Sequence, residues 1–190
     1  MKIDIIERIK QLPVTEETLL DAFAVLVGVE DRKSVDGYVK WIRSEAMKIK
    51  SAKMYDLIGK TYLYAGQYSY DDFMVAMEWN REPNARFWIP RRKVWEGKHK
   101  VATQIQEFMD DDEALYLGIS CPPGTGKSTM IKFLISCIMG QEPRSQNMYV
   151  SYSDGMIKLM LDSVKSMLTD TNEYRFNEIF PVLGSPDISA

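Results

Sequence analysis

Several things are scarce in this chain, and each scarcity closes off a class of protein. Only two cysteines occur among 190 residues, Cys121 and Cys137. Two isolated thiols make no disulfide framework and fit a reducing cytosol. The only histidine is His99, with no cysteine, histidine or carboxylate at ligand spacing, so a zinc site is not expected. No run of about 18 apolar residues is present, which argues against a membrane-spanning helix. The opening MKIDIIERIKQL is charged throughout and lacks the apolar core of a signal peptide. Positive charge is not in excess either: the net charge is −3 and the pI about 5.3. That balance argues against a whole-surface grip on nucleic acid and leaves a local basic patch open. These absences predict a soluble protein of the cytoplasm without a membrane partner.

What is there begins with helical patterning. Ile3, Ile6 and Ile9, with Ile5 beside them, form a stripe that Pro13 ends. Thr15 before Glu16 and Glu17 reads as a cap and an acidic first turn, opening a helix through Val27 to Gly28. Residues 35 to 64 read as two more helices. Tyr70 to Trp79 reads as another, capped by Ser69 or Asp71. Residues 1 to 80 are thus expected to be a small helical N-terminal module. Residues 81 to 113 form a connector in which seven Lys or Arg face two Glu between 81 and 100, with Phe87, Trp88 and Trp95 interleaved. That stretch is open to three readings: packing beside a nucleotide, contact with a DNA backbone, or plain structure. Asp110 to Glu113 reads as a solvated acidic turn.

From Ala114 onward the pattern alternates. Ala114 to Ser120 reads as a strand, Gly126 to Met139 as a helix, Asn147 to Tyr152 as a strand and Asp154 to Leu168 as a helix. Strand, helix, strand, helix predicts an α/β fold, the first part of a P-loop parallel sheet over residues 114 to 190.

Between the first strand and helix lies Cys121-Pro122-Pro123-Gly124-Thr125-Gly126-Lys127-Ser128-Thr129, a phosphate-binding loop. Gly124 and Gly126 let the backbone approach oxygen atoms closely. Successive N–H groups then converge on phosphate, aided by roughly half a positive charge at the helix N-terminus. Lys127 is the expected catalytic contact to the β- and γ-phosphates. Ser128 is the expected Mg²⁺ ligand, and Thr129 caps the helix or meets the α-phosphate. Pro122 and Pro123 pre-set the loop. Cys121 stands where the usual pattern opens with glycine, and its thiol is a handle for alkylating reagents. The ligands implied are ATP and Mg²⁺. Hydrolysis needs a further acid at the end of another strand. Asp154 reads instead as the start of a helix capped by Ser153, and Cys137 as core. The chain is therefore expected to be a fragment or truncated frame that binds ATP and hardly hydrolyses it.

A wider set of motifs runs in order: Trp79-Asn80-Arg81-Glu82-Pro83, Pro90-Arg91-Arg92-Lys93, the loop itself, Ser151-Tyr152-Ser153, Glu173-Tyr174 and Ile179-Phe180-Pro181. Over residues 71 to 190 the chain resembles the N-terminal ATPase part of the large terminase subunit of tailed bacteriophages and prophages. That resemblance implies a motor that hydrolyses ATP to package double-stranded DNA into a capsid, in the bacterial host cytoplasm. It also implies a ring homo-oligomer, partnered by portal protein and small terminase subunit. Lys127 and Ser128 match the family's phosphate and magnesium residues. The family's adenine-contacting segment corresponds to residues 90 to 106, which points to Arg91 or Arg92 and then Gln104. Where this chain has Gly124 and Thr125 the family often carries Arg and another non-glycine residue, so no loop arginine is implied. The competing readings are another P-loop ATPase such as a helicase loader, and a non-enzymatic truncated interaction module.

Overall fold

The computed structural model describes residues 2 to 181. Five helices come first, α1 (Lys2–Lys10), α2 (Glu16–Val27), α3 (Asp36–Ile49), α4 (Ala52–Ala65) and α5 (Tyr70–Glu78), and the one-turn α6 (Arg92–Trp95) follows. Their boundaries follow from local chemistry. Thr15 accepts the Thr18 amide at 3.2 Å while its own N–H donates to the Thr18 hydroxyl at 2.9 Å, a reciprocal cap that satisfies two orphan groups. Ser51 and Ser69 cap α4 and α5 in the simpler one-way manner. Of the isoleucine stripe in α1, only Ile6 is fully buried, while Ile3 and Ile5 face solvent.

Helix α5 is the axis of the molecule. Phe73, Met74, Val75, Ala76 and Met77 are all buried, because α4, α7 (Val101–Asp110), α8 (Lys127–Gln141) and α10 (Phe176–Ile179) pack around it. A helix apolar on every side must be surrounded in this way. Its two buried acids have partners. Arg43 from α3 donates to both oxygens of Asp72, at 2.8 and 3.3 Å, and to the Thr61 hydroxyl at 3.1 Å, while lying flat on Tyr62. Burial raises the Asp72 carboxyl above its ordinary range, and Arg43 opposes that rise. The second acid, Glu78, belongs to the site below.

The expected α/β fold is overturned. Among the described residues there is no strand and no sheet, and every regular element is helical. Residues 114 to 120 and 147 to 152 form no ladder with each other or with any other described segment. They keep an alternating pattern, with Leu117, Ile119 and Tyr149 turned onto the core. The opposite side is bare: Tyr116 is 92% exposed, Met148 87% and Tyr152 93%. The reason is that an apolar alternating run records one buried face and says nothing about lateral neighbours. A strand exists only when another strand supplies its N–H and C=O partners. Helices close those bonds internally, so α8 and α9 (Asp154–Thr169) form with no sheet between them.

Candidate phosphate-binding site

The loop from Cys121 to Gly126 runs directly into α8, whose N-cap is Gly126. Gly124 and Gly126 sit at φ 78° and 93°, in the left-handed region that a side chain disfavours. Two contacts brace the turn. The Thr125 hydroxyl donates to the Pro122 carbonyl at 2.8 Å, and the Lys127 ammonium donates back to the Cys121 carbonyl. The Met130 amide, bonded to the Gly126 carbonyl at 3.0 Å, is the first to take an acceptor within the helix. The amides of Lys127, Ser128 and Thr129 precede it in the first turn, where helix geometry leaves N–H groups free to meet an anion. Pro122, Pro123, Gly124 and Ser128 are exposed, and Cys121, Thr125, Gly126, Lys127 and Thr129 are half-buried.

The donor set fits a polyphosphate: a 15-residue helix presents its positive end, one ammonium lies at its first position, and no carboxylate bonds to the loop among the described residues. For a metal the protein offers less. Ser128 supplies a hydroxyl, and no group of three or more His, Cys, Asp or Glu is assembled among the described residues. Asp154 opens α9, and Ser153 precedes it without a side-chain capping bond.

The two arginines of the connector go to different places. Arg91 lies 4.7 Å over the Phe87 ring and donates to the Phe87 carbonyl at 2.7 Å. Phe87 in turn stacks on Phe133 of α8, ring centroids 6.3 Å apart, and its edge meets Gly126 so closely that a Cβ there would overlap the ring. Arg91 is thus one aromatic ring away from the phosphate loop. Arg92 instead faces α5, its guanidinium engaged by Asp71 and the Tyr62 hydroxyl. Gln104 lies in α7, while its neighbour Gln106 accepts the Tyr70 amide at 2.7 Å.

Two residues that sequence reasoning did not single out complete the surroundings. Glu78, fully buried at the end of α5, accepts three consecutive amides: Phe87 at 2.6 Å, Trp88 at 2.8 Å and Ile89 at 3.2 Å. Burial pushes its carboxyl upward, and the three amides pull the other way. Tyr70 is also fully buried and donates its hydroxyl to the Met130 carbonyl at 2.7 Å, pinning the first turns of α8 to α5. The available signal was positional: Glu78 continues an apolar run, Phe73 to Met77, where a solvated acid is out of place.

Two other concavities are separate from the loop. A cleft of 350 Å³ between α3, α5 and α7 is lined by charges that neutralise one another, such as Lys33 with Asp110 at 2.8 Å and Lys40 with Asp36 at 2.6 Å. A mostly apolar hollow of 620 Å³ lies between α8 and α9, lined by Ile135, Met139, Met160 and Val164. No described helix is long and apolar enough to cross a membrane. Compared with protein-family models, curated proteins and solved structures, the chain matches none.

Proposed function

We propose that residues 121 to 129 bind the triphosphate of ATP together with Mg²⁺. The observation that carries this reading is the pairing of two left-handed glycines, Gly124 and Gly126, with a lysine at the first position of α8. That arrangement brings free amides, a helix N-terminus and an ammonium to one small volume, and polyphosphate is the ligand whose charge and oxygen count they suit. Lys127 holds the terminal phosphates once it leaves the Cys121 carbonyl. Ser128 offers its hydroxyl to the magnesium ion, and Arg91 stands beside the loop as the connector's nucleotide contact. Among the described residues the binding surface is the loop and helix, without a sheet beneath them.

The broader role we propose is that of a DNA-packaging motor's ATP-binding part, acting on double-stranded DNA in a ring with portal and small terminase subunits. It rests on the motif order in the sequence. It is supported by the way distant pieces of that order meet: Arg81 pairs with Glu173 at 2.9 Å and covers the Tyr174 ring, and Tyr174 packs edge-on against Phe133 of the loop helix. Phe180 lies against Phe73 of α5. Asp154 opens α9 rather than ending a strand, so the expected turnover is slight.

The test is calorimetric titration of Mg²⁺-ATP into the full chain and into Lys127→Ala, with phosphate release followed in parallel. Binding by the wild type and loss of binding in the variant, without hydrolysis in either, is the expected result. Equal binding by both removes the loop from the reading. Lys127-dependent turnover removes the statement about slight hydrolysis and makes Asp154 the first carboxylate to replace.

A further inference from the structure

The connector and the phosphate loop are joined by a buried charge. The Glu78 carboxylate is inaccessible to water, and its hydrogen-bond partners are three neutral amides, while Arg81 acts on it through charge alone. Its two oxygens divide the work: Oε1 takes the Phe87 amide and Oε2 takes those of Trp88 and Ile89. Three consecutive amides turned to one acceptor fix the backbone of residues 87 to 89, and the Trp88 indole adds a bond to Asp71 at 2.7 Å. The outcome of that fixation is the placement of Phe87, whose ring is held between Arg91 and Phe133 with its edge on Gly126. Gly126 is the left-handed residue that aims the first amides of α8.

We propose that Glu78 is a positioning residue for the phosphate loop: its carboxylate gathers the amides of residues 87 to 89 and so keeps the Phe87 ring as a wall behind Gly126. The consequence for nucleotide affinity rests on the reading of residues 121 to 129 as a triphosphate site. The consequence for loop order does not. A glutamine cannot replace the acid, because its Nε2 donates only, so at least one of the three amides faces another donor. Loss of one charge-assisted bond corresponds to about a tenfold change in an equilibrium.

Cys121 supplies a reporter that needs no nucleotide. It is half-exposed on the loop, whereas Cys137 is buried, with its thiol pushed well up by that burial, and serves as the slow internal reference. The experiment compares alkylation of Cys121 by N-ethylmaleimide, and Mg²⁺-ATP affinity, in the full chain and in Glu78→Gln, Phe87→Leu and Val75→Ala. Val75 is buried in the same helix and has no part in the clamp, so its variant controls for a general loss of stability. The expected result is Cys121 alkylation about tenfold faster in Glu78→Gln and Phe87→Leu, with Mg²⁺-ATP bound about tenfold more weakly, and neither changed in Val75→Ala. Unchanged alkylation in the folded variants, or equal acceleration in Val75→Ala, overturns the proposal. Should Glu78→Gln not fold, Phe87→Leu decides, because it keeps the clamp and removes only the wall. Faster alkylation in a protein whose wild type binds no ATP leaves the positioning role standing and sinks the triphosphate reading instead.

Discussion

Helix α5 and the segment from 147 to 152 are both apolar, and they meet opposite fates. In α5 the side chains of Phe73, Met74 and Met77 are fully buried, and the backbone pairs along the helix itself, with Ser69 and Gln106 accepting amides of its first turn. In residues 147 to 152 only alternate side chains turn inward, and Met148, Val150 and Tyr152 lie open to solvent. The difference teaches that apolar composition supplies the drive to bury, while backbone pairing decides whether a segment can finish the job. A helix carries its pairing with it; a strand must borrow it from a neighbour.

Breaking the buried side of that comparison has the largest expected effect. Phe73→Ala should cost about 3–5 kcal/mol in denaturant unfolding, from lost transfer energy and the cavity left behind. A cost below 1 kcal/mol would mean that α5 is not the axis of the fold. Arg43→Met should cost a comparable amount, about 3–5 kcal/mol, since it removes both hydrogen bonds to the buried Asp72 and leaves it only Arg92, 3.6 Å away. The pair Arg43→Met with Asp72→Leu should recover most of that loss. If the double variant is as unstable as the single one, the ion pair is not what Asp72 requires.

A subtler effect follows from the second buried acid. Burial raises Glu78 in the folded state above its usual 4.5, so between those values the folded protein binds more protons than the unfolded chain. Stability attributable to Glu78 therefore increases as pH falls from the raised value toward 4.5, and it declines as pH rises through that window. Melting curves of the wild type and Glu78→Gln at several pH values isolate this contribution. The wild type should gain on the variant as the solution is acidified, and a constant gap would show that Glu78 titrates normally.

The smallest change is expected on the exposed side. Tyr116→Ser and Tyr152→Ser should each fall within about 0.5 kcal/mol of the wild type, as substitutions of open side chains do. A loss approaching that of Phe73→Ala would show that these rings are covered in solution.

Much of the local structure was legible in the sequence, residue by residue. Pro13 and Thr15 mark the break and the cap between α1 and α2, and Gly126 followed by Lys127, Ser128 and Thr129 marks the start of α8. Those features act within one turn of chain, so the residues present settle them. The absence of a sheet among the described residues was not legible, because 114 to 120 and 147 to 152 show the alternation of strands and suggested one. For the candidate site, the loop could be read directly from its glycines and lysine. Arg91 and Arg92 looked equivalent as adjacent cations, and only their partners in the folded chain separate their surroundings, Phe87 for Arg91 and Asp71 with Tyr62 for Arg92.

By itself, then, the sequence determined the caps of α2 and α5, the left-handed glycines of the loop and the lysine that follows them, since each depends on local backbone geometry, whereas the side-chain cap expected of Ser153 on α9 does not form. Tertiary structure alone decided that Glu78 would gather the amides of Phe87, Trp88 and Ile89, and that Phe87 would stand behind Gly126. It also left the two alternating segments without a ladder. These outcomes depend on which distant groups become neighbours, and side-chain and backbone bonds formed across the fold answer that question where periodicity does not.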